Sequence, residues 1–541
     1  MKKNFAIIAL ITLIMMSCSK RKHADLIITN ATIYTVNSSF TVAQSMAVVN
    51  GKVAAIGTTE SILNEFQSDS ILDFSGLFVY PGFIDAHCHF LGYGLNLPKA
   101  QLSGAKTWDE VVKRLEANQQ QYPTTWVEGR GWNQNEWNVK EFPTNELLNR
   151  MFPNKPVFIV RIDGHAAVAN DKALEIAGIK ANTKVEGGEI IVKNNKPTGV
   201  LLDNAMEIVR RCIPKPNGQT KANALLNAQK NCFAVGLTGV QDAGLDADEV
   251  ALIDSLQQAG KLKMRINAML NPTPENFEKY ISKGIFKTNR LTIRSIKIYA
   301  DGALGSRGAF LLKPYSDDLK NFGIQVETTK KLDSICKMAF DHGYQVCTHC
   351  IGDAAVRQML DIYSKYLTKG NDLRWRIEHS QVVDPNDLPR YGQYGVIPSV
   401  QTTHATSDMF WADERLGNRI KYAYAYQDLL KQNGWLPNGS DFPIENINPL
   451  YGLYAGVARK NLQGEPANGF QPENALTREQ ALRAMTIWAA KACFNENEKG
   501  SLEPEKFADF VVLNVDLMKQ DIDQIPKTKI LRTYVNGDRV F

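Results

Sequence analysis

A chain of 541 residues, 44% hydrophobic and 22% charged, has the composition of a folded globular protein and room for one large domain plus a smaller one. Its net charge of +5, or +3 without Lys2 and Lys3, is too dilute over this length to point to nucleic acid as a partner. Eight cysteines, an odd number of them beyond Cys18, give no disulfide framework.

In chain order, Lys2 and Lys3 precede an apolar run from Phe5 to Met16 that closes on Ser17-Cys18. A charged and then an apolar region is the plan of a secretory signal, and the run is short for a membrane-spanning helix. With a cysteine after a small residue, it resembles a bacterial lipoprotein signal over residues 1–17. Cys18 would then become the lipidated first residue, holding an exported protein body in the periplasm or at the cell surface. Met15 stands where that pattern prefers Leu. The short run Lys20-Arg21-Lys22 reads as a solvated linker.

Ala24 to Val36 and Ser45 to Thr58 predict strands, the second broken by Asn50-Gly51. Near the other end, Phe507 to Asn514 and Ile530 to Phe541 have the same character, around Asn536-Gly537. Asn-Gly between β-rich runs is a hairpin signal. The economical arrangement is one small β-sandwich domain built from 24–80 and 501–541, with residues 81–500 inserted into it.

That middle alternates. β-rich runs fall at Gly82 to His89, Gly236 to Asp242, Lys263 to Leu270, Leu291 to Tyr299, Tyr344 to His349, Arg374 to His379, Gly395 to Gln401 and Trp435 to Asp441. Segments of helical length separate them. The prediction is an α/β fold, a (β/α)8 TIM barrel with its active site at the strand C-terminal ends. Roughly 140 residues separate the first run from the second, too many for a loop, so an inserted subdomain is expected over about 100–232. A last helix is expected over Arg478 to Ala492, with Thr477 and Gln480 placed for a capping box.

The chemistry-bearing residues collect at the predicted strand ends. Four of only eight histidines fall there: His87 and His89, His349 and His379. Strand side chains alternate, so His87 and His89 share a side and can hold one cation between two imidazoles. Imidazole suits Zn, Fe, Ni or Cu better than Mg or Ca. Asp441 ends the eighth run, where a carboxylate can ligate a metal and accept a proton from water. Lys297 lies among apolar residues of the fourth run, and burying its charge is costly. Either it pairs with an acid such as Asp301, or desolvation keeps the amine neutral and open to CO2, giving a carbamate able to bridge two metals. Cys88 and Cys350 flank these histidines and point the other way, as packing residues.

These stretches resemble the amidohydrolase superfamily, more narrowly amidohydrolase family 3, the YtcJ-like group. The matching stretches are Pro81-Gly-Phe-Ile-Asp-Ala-His-Cys-His89, Lys297-Ile-Tyr-Ala-Asp-Gly-Ala-Leu-Gly-Ser306, His349-Cys-Ile-Gly-Asp353, Glu378-His-Ser380 and Gly439-Ser-Asp-Phe-Pro443. The likeness runs from about Ala24 to the C-terminus and includes the split β domain. It implies two divalent metal ions, zinc being the familiar one. His87, His89 and Asp441 would hold the more buried metal, His349 and His379 the second, and a carbamylated Lys297 would bridge them. A hydroxide between the metals would attack a polarised carbonyl. Asp441, the catalytic residue, would pass its proton to the leaving nitrogen. Pro504-Glu505 departs from the pattern, standing where the group often has glycine.

The implied activity is hydrolysis of a carbon–nitrogen bond other than a peptide bond, in an amide or N-formyl-type small molecule. Trp132, Trp137, Arg161 and His165 of the insertion, with Asp301 and Arg307 after the fourth run, are the candidates to line its pocket. His404 falls between pocket and surface, and His23 and His342 carry no function in this reading. Two alternatives stand beside it: a mononuclear deaminase or aminoacylase on the same barrel, and a non-catalytic ligand-binding lipoprotein. Membrane contact would come through a lipid on Cys18, and homo-oligomer formation is left open.

Overall fold

The computed structural model describes residues 21–541 apart from 135, 136, 163, 165, 186 and 187. The signal-like segment 1–17, Cys18 and His165 therefore lie outside the described residues.

Seven parallel strands form the barrel: β1 (Phe83–Cys88), β2 (Leu237–Leu245), β3 (Arg265–Leu270), β4 (Leu291–Tyr299), β5 (Gln345–Cys350), β6 (Arg376–His379) and β7 (Ile397–Ser399), each hydrogen-bonded to the next. They are apolar and almost continuously buried, as parallel strands covered by helices must be. The predicted eighth run forms no regular ladder. It closes the barrel through a few backbone bonds: Gly439 N to Val400 O (3.0 Å) on the β7 side, Asp441 N to His87 O (2.8 Å) and His89 N to Phe442 O (2.8 Å) on the β1 side. Pro437 has no N–H to give a ladder, and the Asn438 N–H turns away to Ala484 O.

The two chain ends build one β-sandwich. One sheet holds Leu26–Thr29, Ser45–Val49, Lys52–Gly57 and Ile71–Asp73. The other joins Thr32–Tyr34, Val42–Ala43 and Phe78–Pro81 to Phe510–Leu513, Arg532–Val535 and Asp538–Arg539. Ile28, Met46, Val79, Phe510 and Val512 meet in a shared core. Both Asn-Gly pairs turn hairpins, with φ of 51° and 73° at Asn50 and Gly51 and 54° and 75° at Asn536 and Gly537. Glu505 adopts φ 72°, so the loop keeps a left-handed shape that glycine would take without strain.

After Phe90–Asn96, the insertion forms its own six-stranded sheet from Lys99–Gln101 to Lys196–Asp203, with separate apolar clusters. The next helix, Gly218–Ala234, sends Leu225, Ala228, Cys232 and Phe233 into the barrel core, so it is a barrel helix and the insertion ends before it. The expected last helix divides into Arg478–Ala484 and Ile487–Ala492. The capping box at Thr477 and Gln480 is present. The break follows from the carbonyls of Ala484 and Met485, which bond Asn438 N and Ile84 N of the barrel instead of continuing the helix.

Candidate metal centre

β1 carries Asp85 and His87 on one face, His89 follows directly after its end, and each finds a different partner. His87 is fully buried. Its Nδ1 lies 2.6 Å from Glu378 Oε2, which leaves Nε2 facing Asp441 Oδ1 at 3.6 Å. His89 Nδ1 bonds Ala243 O at 3.0 Å, leaving its Nε2 3.2 Å from Asp441 Oδ1. Each ring thus has its outer nitrogen fixed by a hydrogen bond and its inner nitrogen turned toward Asp441, the arrangement of a metal-ligating imidazole. Asp85 accepts from His87 N (3.0 Å) and from Ser440 Oγ (2.7 Å), tying the closing segment to β1.

The other predicted ligands converge on this point. The His379 ring is 5.0 Å from that of His87 and 4.5 Å from that of His349. Ligand atoms of His87, His379 and Asp441 lie within 4.8 Å of one another. His379 Nδ1 is buried without a hydrogen-bond partner. His349 Nε2 stands slightly apart, 3.5 Å from Gly302 O and 3.7 Å from Asp301 Oδ1. Lys297 is 1% exposed, its Nζ 3.3 Å from His87 Nε2 and 4.9 Å from the centre of the Tyr299 ring. It does not pair with Asp301, whose carboxylate instead accepts backbone N–H groups of Phe310, Ile351 and Gly352.

Burial sets the protonation. It pushes His87 down to about 4, His349 down to about 3 and His379 well below the usual histidine value, with the Lys297 charge or neighbouring imidazoles adding to the effect. Burial also lowers Lys297. At Asp441 burial pushes up, but the hydrogen bond from His89 and the nearby His87 hold the carboxylate well below its ordinary range. Burial would lower His89, yet the same Asp441 contact raises it. Neutral imidazoles and an ionised carboxylate are the states a divalent cation needs, and imidazole with carboxylate is a fitting donor set. The residues present fit a metal.

Two residues in this centre had no role in the sequence reading. Glu378 is fully buried between His87 and Arg376, whose Nε lies 2.7 Å from Glu378 Oε1. Arg376 in turn donates to Ala86 O, Ser399 Oγ and Gln241 Oε1. Burial pushes Glu378 up, but Arg376 and His87 hold it far below the usual carboxylate range. The available signal was Arg376-x-Glu378, two charges on one face of an otherwise apolar strand.

The amidohydrolase family profile matches residues 70–541. The chain belongs to the amidohydrolase family. Bacillus subtilis YtcJ is 30% identical, over 94% of this chain and 98% of its own. The N-substituted formamide deformylase of Arthrobacter pascens is 27% identical, over 95% of this chain and 97% of its own. An uncharacterized metal-dependent hydrolase from Pyrococcus horikoshii superposes with a TM-score of 0.76 at 30% identity, covering 92% of this chain and 98% of that one. This amidohydrolase is thus a metal-dependent hydrolase of carbon–nitrogen bonds.

The predicted pocket residues lie in several places. Trp132 is fully buried within the insertion, edge-on to Trp108 and Phe142 and tilted against Trp137, and its Nε1 donates to Ile159 O. Trp137 donates to Ala105 O in the same core. Arg161 donates to Gln134 and Asn133 of the insertion. Arg307 pairs with Asp317. Asp301 staples the loops after β4 and β5 through the three backbone bonds described above. His404 is buried against the centre, its ring parallel to that of His379 at 5.9 Å. His342 packs on Phe277 and bonds Met338 O, a structural role.

Proposed function

We propose that this amidohydrolase cleaves a non-peptide amide of the N-formyl-amine type at a centre of two divalent cations, zinc being the ion the imidazole-rich donor set suits. The carrying observation is the convergence of His87, His379 and Asp441 within 4.8 Å, with His379 Nδ1 buried and unpartnered. Such an atom costs free energy unless something binds it. His87, His89 and Asp441 would hold one cation, His349 and His379 the other. A divalent cation there acidifies water toward a pKa of ~7 and polarises a carbonyl.

The chain's own residues supply the rest. Asp441 takes the proton of the attacking water and returns it to the leaving nitrogen. Glu378 and Ala243 O hold the His87 and His89 imidazoles in orientation. Lys297, whose pKa burial lowers, would add CO2 with loss of a proton, and its N-carboxylate would then serve as a further anionic ligand for the cations. The formamide-cleaving relative supports the acyl class. The export reading extends to a lipid on Cys18, checked by labelling cells with radioactive palmitate and comparing the Cys18→Ala variant.

A one-cation centre is the second reading, favoured by one observation: His349 stands outside the tight group of three. Metal analysis of protein purified with bicarbonate separates them. Near two equivalents, falling to one with lost N-formyl-amine turnover in Lys297→Ala, supports the two-cation reading. One equivalent and an active Lys297→Ala sinks it. Chelation abolishes turnover in either case, and added zinc restores it.

A further inference from the structure

The wall beyond β7 carries polar atoms that nothing satisfies. Gln401 is 2% exposed, and both its Nε2 and Oε1 lack a hydrogen-bond partner. Thr403 Oγ1 and His404 Nε2 are buried and unpartnered too. Gln401 comes two residues after Ser399, which faces the barrel interior and accepts from Arg376. Its backbone is still extended, with φ −125° and ψ 102°. Alternation therefore keeps Gln401 on the inner side, one step nearer the barrel mouth. The segment is firmly held, with Tyr426 donating to Gln401 O at 3.0 Å and Thr402 N to Asn438 Oδ1 at 2.9 Å. His404 follows, its ring parallel to His379.

A buried polar group without a partner is costly, so four such atoms on one wall call for a ligand. Beside them lies a cavity of about 270 Å³. The short helix Thr402–Asp408 stands between the two. Thr403, Thr406 and Ser407 line the cavity from that helix, with Phe410, Tyr451 and Leu462 among the residues opposite. Its lining is mostly polar, with Glu445, Asn446, Lys460, Asn461 and Gln463 beside those hydroxyls, and it lies across the helix from Gln401 and His404, so it is no part of the wall. The insertion keeps Trp132 and Trp137 inside its own core.

We propose that this β7 wall reads the substrate: the Gln401 carboxamide and His404 Nε2 hydrogen-bond the substrate's amide edge. A carboxamide offers a donor and an acceptor together, which matches a group carrying both C=O and N–H. The proposal rests on the amide-hydrolase reading for its substrate class. Its test does not need turnover.

The probe is 2-phenylethylurea, which presents the same donor–acceptor edge. It is titrated calorimetrically into zinc-loaded protein, wild type against Gln401→Leu and His404→Phe, with metal content and Tm measured alongside. The expected result is binding to wild type, weakened at least tenfold in both variants, with metal content unchanged. Gln401→Leu should melt no lower than wild type, because it removes an unsatisfied polar group; a merely structural glutamine would lose stability. Absent wild-type binding, unchanged affinity in Gln401→Leu, or a metal equivalent lost in His404→Phe would overturn it. If the urea binds here while no N-formyl amine is turned over, the wall stands and the formyl reading falls.

Discussion

Glu378 shows how much of the centre depends on residues that touch no metal. It immediately precedes His379, and strand alternation would send the two side chains to opposite faces. Both face the centre because His379 sits at φ 71° and Ser380 at φ 43°, a left-handed bend at the end of β6. Non-glycine residues accept such backbone where function requires it. Glu378→Gln should weaken cation binding ~10–100-fold, since His87 loses the carboxylate that orients it. Leaving the buried Arg376 charge uncompensated should also cost about 3–5 kcal/mol of stability. Chelator competition and thermal melting measure the two effects, and wild-type metal affinity would refute the orienting role. His87, His89 and Asp441 were legible in the sequence because period-two spacing and strand ends place side chains without knowledge of partners. Glu378 was not, because its partner His87 lies 291 residues away. The indoles of the insertion misled for the opposite reason: an aromatic suited to a ligand equally suits a core.

At the scale of elements, the β-rich runs were legible in chain order, and so were the Asn-Gly hairpins, because apolar content and turn chemistry are local. The closing segment shows the limit. Pro437 and Gly439 break the ladder, and long-range bonds to β1 replace it. Gly439 is required by close approach: a Cβ there would lie 2.5 Å from His87 N and 2.7 Å from Asp85 Oδ1. Backbone cannot yield as a flexible side chain would, so Gly439→Ala must push the segment outward and carry Asp441, two residues on, with it. The expected outcome is loss of the cation shared by His87 and Asp441 together with a lowered Tm. Metal content after gel filtration checks it, and a fully loaded, active Gly439→Ala would show that the closing segment can move without the centre. The divided last helix was equally illegible, because it is barrel N–H groups from distant sequence that take the carbonyls at its break.

Across the whole molecule, the centre lies at the C-terminal ends of the barrel strands, and the β-sandwich docks at the other end. The docking is polar at its core. Arg265, the first residue of β3, donates to Asp509 at 2.9 Å and to Asn536 Oδ1, and its guanidinium lies 3.7 Å from the Phe507 ring centre. Asp509 also accepts Asn536 N at 2.9 Å, so one carboxylate joins barrel and hairpin. Burial alone would raise its pKa, but Arg265 holds it below the ordinary carboxylate value. A group depressed in the folded state stabilises above its unfolded pKa of ~3.9 and loses that contribution as pH falls through the folded value. Asp509→Ala leaves the Arg265 charge buried and unpaired, which should cost about 3–5 kcal/mol near neutral pH. The variant should therefore melt well below wild type at pH 7, and the gap should narrow as pH drops below about 4. A gap that stayed constant from pH 7 to 3.5 would mean that lost packing, and not the ion pair, joins the two chain ends to the barrel. Because Asp509 lies at the opposite end of the strands from His87, metal content per folded molecule should be unchanged, separating this joint from the centre it supports.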